Sequence, residues 1–267
     1  MPYYFHEHRD IYFQHQKLVT KEYIIPFIEE VFKISSASHV LEIGCGEGGV
    51  LKAFTEERGC HVVGVDLDAQ KLELAKKMFG EELAKGQARF INKNIYDPEF
   101  KKLFRNKFDL IILKDAIEHI PEQEKLLSYL DTFLKPDGVI FFAFPPWYMP
   151  FGGHQQMCRS FLKKVPYFHL LPTPIYRALL QGMHESPERI ATLLHNKRTG
   201  ITIERFERIL RRTRYQILKK QFFLFNPIYR YKFKIEPKEQ VRWLAKLPYI
   251  RDFFTTAVYY IVKPNKA

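Results

Sequence analysis

Short apolar runs alternate with longer stretches of helical period over most of the first half of the chain. Residues 8–32 repeat apolar side chains at helical intervals with Pro26 as an interruption, which predicts one or two amphipathic helices. "SSAS" breaks that pattern. "HVLEIGCGEGG" then reads as a strand, a tight turn and a helix start, and "VLKAFTEERG" continues the helix to Gly59. "HVVGVDLD", "ARFINKNI", "FDLIILKD" and "VIFFAF" are further strands. "AQKLELAKKMFGEELAKG" and "PEQEKLLSYLDTFLKPDG" are the helices between them, the second expected to stop at Pro136 and Gly138. Strands and helices alternating at this spacing predict a parallel sheet covered on both faces.

The pattern changes after residue 144. "FPPWYMPFGGHQQ" suits neither a strand nor a helix, and residues 157–200 hold broken helical pieces with several prolines. "TIERFERILRRTR" predicts a helix, and "QILKKQFFLF" and "FFTTAVYYIVKP" predict strands. A basic, aromatic insert at about 226–252 separates those two strands. The expected division is an N-terminal helical cap (1–36), a core (37–146), a lid insertion (147–200) and a C-terminal completion of the core (201–267).

Charge adds a second asymmetry. Residues 1–146 hold 19 Lys and Arg against 23 Asp and Glu, whereas residues 147–267 hold 23 against 7. The basic half, rich in Tyr, Phe and Trp, predicts an anionic partner. The three cysteines cannot all pair, and no secretory pattern is visible, so a reducing, cytoplasmic setting is expected. No run of 18 apolar residues predicts a membrane span.

The glycines at 44, 46, 48 and 49 follow a strand carrying Glu42, and Asp66 ends the next strand. Such a turn lets the backbone approach a ligand, and the following helix aims free N–H groups at the same place. An acid at Asp66 can take both ribose hydroxyls of a nucleoside. The G-x-G-x-x-G spacing of Gly44, Gly46 and Gly49 also suits a nicotinamide dinucleotide. Glu42 favours an ammonium over a pyrophosphate, and "LKDAIEHI" brings more acids to the same end of the sheet.

With "LEIGCGEG", "VVGVDLD", "FDLIILKDAIEHI" and "LKPDGVIFFAF" in this order, the chain resembles the class I S-adenosylmethionine-dependent methyltransferases over about 38–146 and 201–263. The resemblance implies an α/β, Rossmann-like, seven-stranded and mostly parallel sheet ending in an antiparallel hairpin, with helices on both faces. It implies S-adenosyl-L-methionine as cofactor, held by Glu42, Gly44, Cys45, Gly46, Gly48, Asp66 and Leu67. Asn94 and Ile95 would stand where relatives bind adenine, with Asp97 as a fallback, and Lys114 and Asp115 would line the cofactor. The N-terminal segment is expected to fold over it.

Methyl transfer to a hydroxyl calls for a base near the acceptor. His154, in the loop after the fifth strand, is the candidate. Trp147, Tyr148 and Gln155 are expected to line the acceptor site. Ubiquinone-type relatives carry a Glu-His pair like Glu118-His119, some with a divalent metal, but the pair also occurs widely at helix starts. No metal is assigned to it, nor to His6, His8 and His15. The reading is O-methylation of an anionic, lipid- or carrier-linked metabolite such as a glycan intermediate or quinone precursor, with possible contact to an anionic membrane. An RNA methyltransferase and an inactive binding module are the alternatives, and nucleic acid is the less favoured partner.

Overall fold

The computed structural model describes residues 9–265. Its apolar runs form strands β1 (His39–Ile43), β2 (His61–Val65), β3 (Ala88–Ile91), β4 (Phe108–Lys114) and β5 (Leu134–Phe144), paired in parallel. In β4, Leu110 and Ile112 enter one apolar cluster while Ile111 and Leu113 enter another across the sheet. Burial on both faces explains why this strand reads as a continuous apolar run.

Strands β6 (Tyr215–Phe225), β7 (Lys238–Glu239) and β8 (Ala257–Pro264) complete the order β3-β2-β1-β4-β5-β8-β6-β7. β8 lies antiparallel between β5 and β6. The expected seven strands are therefore joined by an eighth, a two-residue piece that pairs with the end of β6.

The helices are α1 (Arg9–Val19), α2 (Ile25–Glu29), α3 (Gly49–Arg58), α4 (Ala69–Met78), α5 (Gly80–Ala84), α6 (Pro98–Phe104) and α7 (Gln123–Leu130). They continue with α8 (Thr173–Gly182), α9 (Pro187–Thr199), α10 (Ile203–Arg212), α11 (Ile228–Phe233) and α12 (Ile250–Phe253). A widened turn at Thr20–Ile24, with the Ile25 N–H on the Thr20 carbonyl, joins α1 to α2 without a break just before Pro26, which has no N–H for a regular helical ladder. Pro136 does not end a helix. α7 stops at Leu130, and β5 bulges at 135–138, between Leu134 paired with Phe108 and Val139 paired with Leu110. A bulge tolerates both Pro136 and Gly138. β3 ends at Ile91, short of the expected Ile95, because the Asn94 Oδ1 accepts the Tyr96 N–H and turns the chain.

Residues 147–200 build short helical turns followed by α8 and α9 around their own cluster, which includes Cys158, Phe168, Tyr176, Leu180 and Leu193. Among the described residues no helix is long and apolar enough to cross a membrane. His6 and His8 lie outside the described residues, and the His15 ring sits 6.0 Å from that of Tyr231.

Candidate functional site

The strand order reverses between β1 and β4, and the carboxyl ends of the strands there open the crevice where sheets of this kind bind ligands. The turn after β1 is pinned to β2: the Gly44 and Cys45 N–H groups both donate to the Val65 carbonyl, at 2.8 and 3.2 Å. Gly44, Gly46 and Gly48 all have positive φ, 74°, 52° and 82°, where a side chain is strained. Gly49 opens α3, and a Cβ there would lie 2.5 Å from the Phe13 carbonyl oxygen. Its lack of a side chain lets α1 lie directly over the turn.

Asp66 ties the turn together. Its Oδ2 accepts the Gly46 N–H at 2.8 Å and its Oδ1 accepts the Asp68 N–H at 2.8 Å. Leu67, next to it, is 72% exposed. Ile95 is buried, and Asn94 is exposed with its amide N–H groups still available as donors. Asp97 is committed elsewhere, since it caps α6 through the Glu99 N–H.

A cavity of about 120 Å³ lies over the turn, walled by Glu42, Gly44, Gly46, Lys71, Lys114 and Asp115 and roofed by Tyr12, Phe13 and Gln16 of α1. Glu42 is buried with Oε2 lacking a hydrogen-bond partner among the described residues. Burial pushes its carboxyl well above the usual range, opposed by the neighbouring Lys114 ammonium. The Lys114 Nζ pairs with the Asp115 carboxylate, which it holds below its ordinary pKa against burial.

A second cavity, about 510 Å³, adjoins the first through two shared walls, Tyr12 and Asp115. Pro145, Met149, Phe151, His154 and Gln156 of the loop after β5 form one side, and Asn226, Tyr229, Lys232, Phe233 and Ile235 another. Glu118 and His119 line its floor. The ligating atoms of Glu118, His119 and His154 all lie within 4.8 Å of one another. The His119 Nδ1 is 3.1 Å from the Asn196 Oδ1, and burial lowers the His119 pKa, which favours a neutral ring. Glu118 is buried with neither carboxylate oxygen hydrogen-bonded among the described residues, and burial followed by the Asp115 charge raises its pKa well above normal.

Three residues expected against the acceptor have other tasks. The Trp147 N–H donates to the Ile201 carbonyl, and its ring meets His169 edge-on at 4.7 Å, away from the cavity walls. Tyr148 stacks on Phe253 at 5.2 Å. Gln155 is fully buried, and its Nε2 donates to the Pro150 and Val165 carbonyls, bracing the loop. The loop presents Met149, Phe151, His154 and Gln156 instead.

An antiparallel strand inserted between β5 and β6 distinguishes this sheet from a wholly parallel dinucleotide-binding one. A family model described as a methyltransferase domain matches residues 13–169. The chain belongs to this family, the class I S-adenosylmethionine-dependent methyltransferases.

Relatives of this methyltransferase chain include the ubiquinone biosynthesis O-methyltransferase of Coxiella burnetii, 29% identical over 119 residues, 45% of this chain and 48% of that protein. Phosphoethanolamine N-methyltransferase 2 of Caenorhabditis elegans is 35% identical over 101 residues, 38% of this chain and 22% of that protein. The chain thus matches about half the length of the first of these and less of the second. Geranyl diphosphate C-methyltransferase of Streptomyces coelicolor A3(2), solved with Mg2+, geranyl diphosphate and S-adenosyl-L-homocysteine, superposes with a TM-score of 0.57 at 13% identity, covering 90% of this chain and 78% of that one. At that identity the likeness is one of fold.

Sequence reasoning did not single out several cavity residues of the methyltransferase, Tyr12, Gln156, Asn226 and Lys232 among them. The signal was present only coarsely, in an N-terminal segment expected to cover the cofactor and in a basic aromatic insert. Lys232 is half-buried, and its desolvation lowers its pKa to about 8, with Asp115 opposing that shift and Lys114 adding to it.

Proposed function

We propose that the protein transfers a methyl group from S-adenosylmethionine to a hydroxyl oxygen of an anionic, lipid- or carrier-linked acceptor. The observation that carries this reading is the adjacency of the two cavities through Tyr12 and Asp115. One holds the donor over the glycine turn and the other holds the acceptor beside a histidine.

The residues present fit the cofactor. The Glu42 Oε2, without a partner among the described residues, suits its ammonium, directly or through water. The bare backbone of Gly44, Gly46 and Gly48 admits its amino-acid part. Asp66 retains a lone pair on each oxygen for the ribose hydroxyls, Leu67 offers an apolar ledge to the adenine, and the Asn94 amide can donate to the ring nitrogens. Bound there, S-adenosylmethionine supplies an electrophilic methyl carbon on a sulfonium.

On the acceptor side, Lys232 draws in the anionic group, and Met149 and Phe151 exclude water. His154 would take the proton that the hydroxyl releases as its oxygen bonds the methyl carbon and the carbon–sulfur bond breaks, leaving S-adenosylhomocysteine. The test is His154→Ala. Turnover should fall about 10²- to 10⁴-fold, the usual worth of a positioned base, while S-adenosylhomocysteine binding by calorimetry stays unchanged. Unchanged turnover would remove His154 from the chemistry.

One observation favours a second version of the same step. Glu118, His119 and His154 offer a carboxylate oxygen and two ring nitrogens at one place, a donor set suited to a divalent cation. In that version the three side chains position an ion that lowers the acceptor's pKa. Chelator treatment should then abolish turnover and a first-row ion such as Mn2+ or Zn2+ restore it, with Glu118→Gln weakening metal affinity. Turnover indifferent to chelation leaves the base alone.

A further inference from the structure

The segment between β7 and β8 turns its apolar side chains outward. Val241, Trp243, Leu247, Tyr249, Ile250 and Phe254 are all exposed, Trp243 by 66% and Tyr249 by 63%. A mobile tail could expose such residues, but this segment is pinned. Arg251 is buried, with Nε 2.9 Å from Glu204 Oε1 and Nη2 3.2 Å from Glu207 Oε2. The Asp252 Oδ2 accepts the Ile203 N–H, and the Tyr249 N–H donates to Glu204 Oε1. The Gln240 Nε2 donates to the Phe254 carbonyl at 2.6 Å.

The charges sort by direction. The acids that hold the segment (Glu204, Glu207 and Asp252) face inward to its anchors, and no Asp or Glu occurs from 240 to 250. Arg242 and Lys246 are exposed beside the aromatic side chains and form no ion pair among the described residues. The ridge also abuts the mouth of the acceptor cavity. Phe253 stacks on Tyr148, one residue before the cavity-lining Met149, and Thr256 lines the cavity itself. Phe233 and Ile235 line the cavity and are each about 40% exposed.

We infer that the ridge 241–254 docks the protein on an anionic membrane surface, with Trp243, Tyr249 and Ile250 in the headgroup region and Arg242 and Lys246 against the lipid phosphates. Indole and phenol rings favour that boundary because one end of each is apolar and the other polar. Basic side chains add attraction to anionic lipid. A protein partner is less suited to a surface that combines only cations and apolar groups beside a ligand entrance. The geometry lets the head of an amphiphilic acceptor enter the cavity while its tail stays in lipid. Only this last point rests on the methyl-transfer reading.

The test is sedimentation with vesicles of phosphatidylcholine alone and of phosphatidylcholine with phosphatidylglycerol, with tryptophan quenching by brominated lipid. The full chain should bind the anionic vesicles at least tenfold more tightly than the neutral ones, and rising salt should weaken binding. Trp243→Ala with Tyr249→Ala should weaken binding at least tenfold, with S-adenosylhomocysteine affinity and melting temperature retained as the measure of folding. Trp243→Phe alone should remove the quenching signal. No binding to anionic vesicles, equal binding by the double variant, a dimer that buries the ridge, or preference for RNA over vesicles would each overturn the inference. Loss of cofactor affinity by the native chain would instead strike the methyl-transfer reading and leave this one standing.

Discussion

At the scale of single residues, the site is built from groups whose burial is unfavourable without a ligand. Glu42 illustrates this. Its folded pKa is raised well above the ordinary 4.5, so the folded protein keeps a proton that the unfolded chain releases. Stability therefore falls as pH rises above about 4.5 toward the folded value. Glu42→Gln lacks this loss, so urea unfolding should find the ligand-free variant more stable than the native chain at pH 7. The gap should be at most ~3.5 kcal/mol at about 1.4 kcal/mol per pH unit, and it should close toward pH 4. Cofactor affinity should move the other way. Asp66→Ala removes the acceptor for the Gly46 and Asp68 N–H groups, and calorimetry should show S-adenosylhomocysteine binding about 10- to 100-fold weaker, the worth of a charged hydrogen bond. Lys232 sets a pH limit. Its charge is present below about 8 and lost above, so KM for an anionic acceptor should rise through pH 8. Lys232→Met should raise KM at pH 7 and abolish that dependence.

At the scale of elements, the loop after β5 shows why an irregular segment resists sequence reading. In a strand, the pleat assigns alternate residues to opposite faces, and so the clusters on either side of β4 follow from its order of residues. Residues 145–157 have no such period. Trp147 is captured by Gly200, where a Cβ would lie 2.2 Å from the ring, and so it packs the start of segment 147–200 against its end instead of facing a ligand. Gly200→Ala should overpack this contact at a cost of about 1–3 kcal/mol and lower the melting temperature by several degrees. Cofactor binding should hold, because neither Gly200 nor Trp147 lines the cavity over the glycine turn. His154, three residues past Phe151, has φ of +56°, a conformation that no pattern in the sequence announced.

At the scale of the whole molecule, two apolar clusters flank the sheet and a third belongs to residues 158–194 alone. This segment thus has a core separate from the sheet's, and we propose that it serves as a lid, whose opening need not break the sheet. Native-state hydrogen exchange should show α8 and α9 exchanging before β4 and β5, with cofactor and acceptor together slowing the lid. Uniform protection across both would argue against a lid that moves. The charge asymmetry also belongs to this scale. It was plain in the sequence, but only the packing shows that acids such as Glu204 and Glu207 are engaged with Arg251 while Arg242 and Lys246 remain outside.

The sequence by itself determined the order of strands and helices, the glycine turn after β1, the acids at the ends of β1, β2 and β4, and the break at residue 144. Each is local, set by backbone sterics or by a period of two or 3.6 residues. The tertiary structure decided what no local rule contains. It placed Lys232 opposite Asp115 across more than a hundred residues, laid Tyr12 over both cavities, brought His154 to Glu118 and His119, and turned Trp147, Tyr148 and Gln155 away. Those outcomes depend on which side chain fills which space between separately formed elements, and that is settled only when the elements pack.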